Sequence, residues 1–427
     1  LRERTEREWQ LESEKMTEQL APTMRRHGVH LGVIMSHEND PDPAVELFGS
    51  YGKTGFYGFR HAYLFYAPDD GGPLETAALG THLSGHLTTF YDSILNYGEE
   101  GLAPHLRRFV RRYDPDTIAV NRSPTITMAD GLSVELNEYL KEAIGPEYSS
   151  RLVSSEPMFV DYVSHRTAAE LEVARQASEI TWNILRRAFS SEVIEPGETT
   201  LMDLHWWVRQ QWEEQDLDFN FPSSFDIQRR GAEDMTDVQD PVIRPGDLLH
   251  VDFGVKLMGI VTDQQKMAYV LRPGETRPPA GLRDAFQKSK RMVEIVAETL
   301  EPGLTGIEVK RRAESRGDRE DIRNLVYSHT QGNWVHGAGA WAIYDWPDRY
   351  GQHPREPVRR NEFWSIELAT TSSVPEWEGQ DVSMKREEDA WVDDRGRVRF
   401  MTGPQEELWV VGQPDTTYDE SAGTDGG

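Results

Sequence analysis

Two aspartates eleven residues apart open the chemistry of this chain: Asp252 in HVDFG (His250–Gly254) and Asp263 in TDQQK (Thr262–Lys266). The run LLHVDFGVKL, a turn around Met258 and Gly259, and IVTDQQKMAYVL read as two β-strands of one hairpin. Each Asp then stands on a paired strand, close enough to its fellow to share an ion. Asp252 sits among the apolar Val251, Phe253 and Val255, and a buried carboxylate needs a partner. That weighs against an ordinary surface salt bridge. Further on, SHTQGNWVHGAG places His329 and His336 seven residues apart, among glycines 332, 337 and 339 that let backbone approach closely. FWSIELAT places Glu367 after a short apolar strand, and DVSMKREEDAWVDDRG places Glu387 and Glu388 before another. A lone His or Glu is most often structural or on the surface. Five such residues recurring together in order, Asp, Asp, His, Glu, Glu, weigh far more than any one alone. Hard divalent cations take carboxylate oxygens, and a metal pair needs several of them.

The elements that must position these groups are bounded by composition. A length of 427 residues suggests two domains. Apolar content of 37% with 10% aromatics is enough for sizeable cores. A net charge of −27 argues against nucleic acid or an anionic membrane as partner. With no cysteine, there is no disulfide framework and no thiol nucleophile, so a metal must be held by O and N ligands. No apolar run approaches the ~18 residues of a membrane span. The first residue is Leu1, not Met, consistent with removal of a leader or tag, and this favours export over a cytoplasmic location.

Along residues 1–155 the pattern alternates. A helical start (1–30) precedes strands at Leu31–Met35 and His61–Ala67. Helices at His105–Tyr113 and Leu132–Ile144 flank a strand at Thr117–Asn121. Such alternation predicts an α/β domain. Ser154–His165 reads as a link, and a long helix follows over Arg166–Phe189. EPGETT at Glu195–Thr200 recurs as EPGLTG at Glu301–Gly306, each time between two helices (Leu201–Glu214 follows the first, Ile307–Arg316 the second). This suggests two pseudo-equivalent halves over 156–412, although Pro-Gly also punctuates chains by chance. Residues 413–427 form an acidic tail without Lys or Arg.

With these motifs in place, the chain from about Arg166 to Val411 resembles the methionine aminopeptidase, prolidase and creatinase superfamily. The resemblance implies its pita-bread catalytic domain. GDLLHVDFG resembles the strand bearing the family's first metal-binding Asp, and TDQQK the second, with Lys266 where the family more often has Arg. HTQGNWVH resembles HxxGxxxH, making His329 the metal ligand and His336 a second, substrate-facing histidine. A competing register lays HGAG (His336–Gly339) over the family's HGxG and makes His336 the ligand. SIEL resembles SIEP, with Leu368 for proline. Glu387 matches the final ligand by its spacing to Gly396, with Glu388 as the alternative. The α/β segment ahead of this resembles the amino-terminal domain of prolidases, proline aminopeptidases and creatinases, and HRTAAEL (His165–Leu171) resembles the start of the catalytic domain in the proline-specific members. One departure stands out: the family's peptidases carry another His within the segment here reading QRRGAEDMTDVQDP (Gln228–Pro241). Asp234, Thr236 and Asp237 occupy that region instead.

The resemblance implies a hydrolase of short peptides, an Xaa-Pro dipeptidase or aminopeptidase. Two divalent ions are expected on Asp252, Asp263, His329, Glu367 and Glu387, with Asp263 and Glu387 bridging. Oxygen-rich ligation leans towards manganese, with cobalt, zinc and iron chemically compatible. A metal-bridging hydroxide would attack the amide, Glu367 would shuttle the proton and His336 would bind the carbonyl or oxyanion. Trp334, Trp341, Tyr344 and Trp346 are candidates to pack a pyrrolidine ring, with core or dimer contacts as the other reading. Arg229 or Arg230 is a candidate to grip a substrate carboxylate. Relatives of this layout imply a homodimer. The alternatives are a non-peptidase of the same fold, either a creatinase-like C–N hydrolase or a metal-dependent lyase, and a metal-free binding protein.

Overall fold

The computed structural model describes residues 2–48, 60–83 and 85–412, so the expected tail (413–427) lies outside the described residues. The chain is a mixed α/β structure with two large sheets. The first has the order β4-β3-β2-β1-β5-β6, from β1 (Leu31–His37), β2 (Arg60–Tyr66), β3 (Glu75–Gly80), β4 (Ser93–Asn96), β5 (Ile118–Val120) and β6 (Leu152–Ser154). Strand β1 is apolar almost throughout because both its faces are covered. Leu31, Val33 and Met35 join the core under helices α3 (Ala103–Tyr113) and α4 (Val134–Ile144). Ile34 joins the opposite core, with Met16, Leu20 and Met24 of the amino-terminal helical rod. That rod comprises α1 (Arg2–Lys15), a π-helical turn (Met16–Leu20) and α2 (Ala21–Arg26).

The segment expected to be a link is a helix, α5 (Glu156–Ser164). Pro157 is tolerated in its first turn, and Met158, Phe159, Val160, Tyr162 and Val163 are buried. Burial of that apolar run is what a link would not need. Helix α6 (Ala168–Ala188) follows, started by a capping box between Thr167 and Glu170.

The second sheet has ten strands. Its main path is β13-β15-β16-β12-β9-β7-β8, with β14 on β15, β17 on β16 and β18 on β12. The members are β7 (Ser224–Gln228), β8 (Met235–Thr236), β9 (Leu248–Phe253), β12 (Gln264–Val270), β13 (Arg323–Val326), β14 (His329–Thr330), β15 (Glu362–Val374), β16 (Gln380–Val392), β17 (Val398–Phe400) and β18 (Trp409–Val411). The expected hairpin exists but is interrupted. Between β9 and β12 the short β10 (Lys256–Leu257) and β11 (Ile260–Val261) form a separate ribbon, with Met258 and Gly259 at its turn. Asp263 therefore lies just outside the ladder, and Asp252 faces Gln265 rather than Asp263. The cause is local. Thr262 Oγ1 accepts from the Val255 amide (2.9 Å) and the Thr262 carbonyl crowds Gly254, where a Cβ would not fit.

The repeated Pro-Gly motif is structural. Helices α7 (Leu201–Glu214) and α9 (Gly306–Arg319) each begin with a Thr capping box, Thr200 with Asp203 and Thr305 with Glu308. Gly197 and Gly303 take φ of 100° and 94°, and their amides donate to Ile243 and Val358. Thr200 bridges Val242 as Thr305 bridges Pro357. Helix α8 (Ala280–Thr299) packs on β15 and β16. Among the described residues, no helix is long and apolar enough to cross a membrane.

Candidate metal centre

The register of the second sheet aligns one row of side chains. Ser224 pairs with Asp252, Asp252 with Gln265, Gln265 with Glu387, and Glu387 with Glu367, across β7, β9, β12, β16 and β15. Strands alternate faces, so this row shares one face. Its neighbours in sequence point the other way. Gln264 donates to the Ser178 carbonyl of α6, and Arg386 lies over Phe286 of α8.

That alternation separates Glu387 from Glu388. Glu388 is fully buried on the helix side, between Lys266 (2.6 Å) and Arg386 (2.7 Å), and these two cations hold its carboxyl below its usual range despite burial. Glu387 instead meets Asp263 and His329. His329 Nε2 stands 3.7 Å from Asp263 Oδ2, 3.6 Å from Glu367 Oε2 and 3.5 Å from Glu387 Oε1. These spacings are too long for hydrogen bonds and suit ligand atoms arranged about a common cation. Two groups have ligand-like geometry, Asp263–His329–Glu387 and Asp252–Glu367–Glu387, and Glu387 belongs to both.

The donor set fits divalent cations on independent grounds. Asp252 Oδ1, Asp263 Oδ1, His329 Nε2 and Glu387 Oε2 are buried with no hydrogen-bond partner among the described residues. Leaving such atoms unsatisfied costs ~1–3 kcal/mol each, more when charged. Burial, then the neighbouring acids, push Asp252 up to about 7 and Asp263 and Glu367 well above the carboxylate range; Glu387 also rises to about 7, mainly by burial. Burial pushes His329 down to about 4, leaving the neutral imidazole that a metal requires. Cations would relieve the mutual repulsion of the acids.

His336 sits beside this cluster, its ring 4.5 Å from that of His329 and edge-on to it. Repulsion from the adjacent His329, which would arise if both rings took up a proton, and then burial hold it down to about 3, so it is a neutral donor. The aromatic residue that reaches His336 is Trp341, 5.3 Å away, stacked in turn on His353 at 3.9 Å. Trp334 packs against Phe159 instead, and Tyr344 lies under Lys310 and stacks on Trp346, partly exposed. Arg229 is not presented to the site. Its guanidinium makes a two-point pair with buried Asp247 (2.7 Å each) because that carboxylate needs a partner, and Arg230 pairs with Glu378.

Four supporting residues lie outside the expected ligand set, although Arg166 stands in HRTAAEL, Gln265 in TDQQK and Asp389 next to Glu388. Asp389 accepts from Ser178, Gln264 and Gln331, and so fixes the loop between the two histidines. Arg166 bonds Glu170 and Asn333, and Lys15 of α1 completes that buried cluster. Gln265 donates to Glu367 Oε1 at 2.5 Å. The available signal for Gln265 was three successive polar residues, Gln264, Gln265 and Lys266, in an otherwise apolar strand. In the region lacking the further His, β8 places Thr236 opposite Asp226.

The sequence profile of metallopeptidase family M24 matches residues 172–399. No curated protein matches the chain by sequence. Among solved structures, the X-Pro aminopeptidase of Thermotoga maritima superposes with a TM-score of 0.66 at 15% identity, covering 91% of this chain and all of that one. The Xaa-Pro dipeptidase of Bacillus anthracis gives 0.61 at 16%, covering 93% and 99%. The dipeptidase PepE of Mycobacterium ulcerans gives 0.62 at 13%, covering 94% and 98%. At these identities the likeness is one of fold, the pita-bread architecture preceded by an α/β segment.

Proposed function

The chain belongs to metallopeptidase family M24, and from that premise we propose that it hydrolyses short peptides at Xaa-Pro bonds with two divalent cations. The observation that carries the reading is the shared Glu387, which closes two ligand groups at once with Asp252, Asp263, His329 and Glu367. The proline preference is supported by the layout it shares, over nine-tenths of its length, with an X-Pro aminopeptidase and an Xaa-Pro dipeptidase. Manganese is the proposed metal, since four of five ligands are carboxylates. Division into a 1–155 domain and a 156–412 catalytic domain, and assembly as a homodimer, belong to the same proposal.

Cations in this site supply Lewis acidity, polarising a carbonyl and acidifying water. The chain's own groups do the rest. Glu367 takes a proton from the attacking water through its carboxylate and returns it to the departing nitrogen. His336, neutral and adjacent, donates a hydrogen bond to the carbonyl oxygen as charge develops there. Trp341 and His353 hold the His336 ring in place. Proline after the scissile bond lacks an amide N–H, so the site need not satisfy that donor.

A second reading is kept by one observation: the stretch Gln228–Pro241, in which the family's peptidases carry a further histidine, has Asp234, Thr236 and Asp237 instead, with Thr236 on β8. A creatinase-like C–N hydrolase or a lyase would use that different wall. Manganese-loaded protein assayed on Xaa-Pro dipeptides and tripeptides decides between them. Cleavage is expected, and the preferred length separates dipeptidase from aminopeptidase. Protein that is loaded but inert on every Xaa-Pro peptide, and active on another amide or C–N substrate, would overturn the proline reading.

A further inference from the structure

Beside the ligands runs a continuous polar chain that crosses the sheet. Lys385 Nζ donates to Asp226 Oδ2 at 2.7 Å. The same oxygen lies 2.7 Å from His250 Nδ1, and His250 Nε2 lies 3.0 Å from Gln265 Oε1. Gln265 Nε2 then reaches Glu367 Oε1 at 2.5 Å. Four strands contribute, β16, β7, β9 and β12, and the chain ends on a fifth, β15. Three of its members are buried: His250 and Gln265 are 3% exposed and Asp226 8%.

Two features make this more than packing. First, Gln265 stands in the row of ligands, between Asp252 and Glu387, at the single register pair joining β12 to β16. It is the one neutral member between carboxylates, and it offers an N–H where its neighbours offer oxygens. Second, Gln265 has one arrangement that serves both partners. With its N–H on the Glu367 carboxylate, its carbonyl must face His250, and the short Asp226 and Lys385 contacts fix that ring. The amide is locked from behind. Glu367 is thereby divided: Oε1 is taken by Gln265, while Oε2 faces His329 at 3.6 Å and stays available to the site.

We infer that Gln265, held by the His250–Asp226–Lys385 chain, is a positioning residue that sets the orientation of the Glu367 carboxylate. The inference rests on the role proposed above for Glu367, and reaches beyond it by assigning four residues outside the ligand set. The physical reason is general: groups bonded to a metal ligand fix its orientation and basicity, and their loss typically costs ~10–100-fold in metal affinity or activity.

The test uses the full chain with Gln265→Met, which keeps length and removes the donor. Calorimetric titration of the metal-stripped protein with Mn²⁺ is read beside kcat and KM for an Xaa-Pro dipeptide. Weakening of one Mn²⁺ site by about tenfold or more is expected, with kcat reduced ~10–100-fold and KM little changed. Asp226→Asn should produce a smaller loss of the same kind, and no further loss when combined with Gln265→Met. If Gln265→Met does not fold, Gln265→Leu is read instead, since it is of similar volume, carries no donor and adds no ligating oxygen. A folded variant with wild-type Mn²⁺ affinity, or fully additive losses in the double variant, would overturn the inference. Wild-type protein that binds Mn²⁺ but cleaves no Xaa-Pro peptide defeats the functional reading alone, and the titration still decides this one.

Discussion

At the scale of single residues, identity matters less than which oxygen or nitrogen faces the shared space. Asp263 contributes a buried, unpartnered oxygen and lies against His329 and Glu387. Asp263→Asn keeps the shape and removes a charge, so it should lose at least one of two metal ions and all measurable hydrolysis. Elemental analysis together with a peptide assay checks this; unchanged stoichiometry with full activity would refute the ligand assignment. The two histidines should part company in the same measurements. His329→Ala should lose metal, because its Nε2 faces Asp263, Glu367 and Glu387. His336→Ala should keep metal and lose ~10²–10³ in turnover, the usual cost of an oxyanion donor. Metal lost only from the His336 variant would show the opposite register.

At the scale of the elements, β16 shows how period-two alternation assigns adjacent acids to different tasks. Glu387 faces the cluster, whereas Glu388 is locked between Lys266 and Arg386 on the helix side. All three members of that triad are 2% exposed or less. Breaking a buried pair by removing one partner strands charge, at a cost of ~3–5 kcal/mol. Glu388→Ala should therefore lower unfolding free energy by about that amount, read by chemical denaturation, while the folded fraction still takes up metal. Glu387→Gln should do the reverse, losing metal with less effect on the stability of metal-stripped protein. Equal metal loss in both would mean that the two faces are not separate. Asp263 makes the complementary point: it serves the site because the hairpin is interrupted at Thr262, which takes it out of the ladder.

At the scale of the whole molecule, the site is a store of repulsion that the fold tolerates because it binds cations. Asp252 and Glu387 are raised to about 7 from ordinary values of 3.8 and 4.5, and Asp263 and Glu367 are raised well above theirs. A raised folded pKa means that the folded state holds protons which the unfolded state has released. The stability these groups contribute is fully present below about pH 4 and is lost as pH rises through 7. The lowered histidines gain stability only up to about pH 6.5, so metal-stripped protein should become less stable from pH 6.5 to 7.5. Added Mn²⁺ should raise the melting temperature by an amount that grows over the same window, since the ion replaces those protons. A metal-induced shift that is flat across this range would contradict the picture. The amino-terminal rod takes part in the same architecture, because Lys15 meets Glu170, which meets Arg166, which holds Asn333 in the loop before His336.

The sequence by itself determined the candidate ligand types and their order, and that strands lie at or beside each of them. The apolar run Leu31–Met35 and the mainly apolar stretch Leu248–Phe253 are local signals, as are the Pro-Gly and Thr-x-x-acid patterns at Thr200 and Thr305, so they can be read without long-range contacts. It could not determine which of two adjacent glutamates faces the site, since a strand's facing depends on register with strands more than a hundred residues away. Nor could it show that Arg229 is committed to Asp247, that Trp341 rather than Trp334 lies against His336, or that Ser154–His165 coils into a buried helix. Gln265 is the clearest case. Its significance comes from standing between Asp252 and Glu387 in one row, and that row exists only once β9, β12 and β16 are side by side.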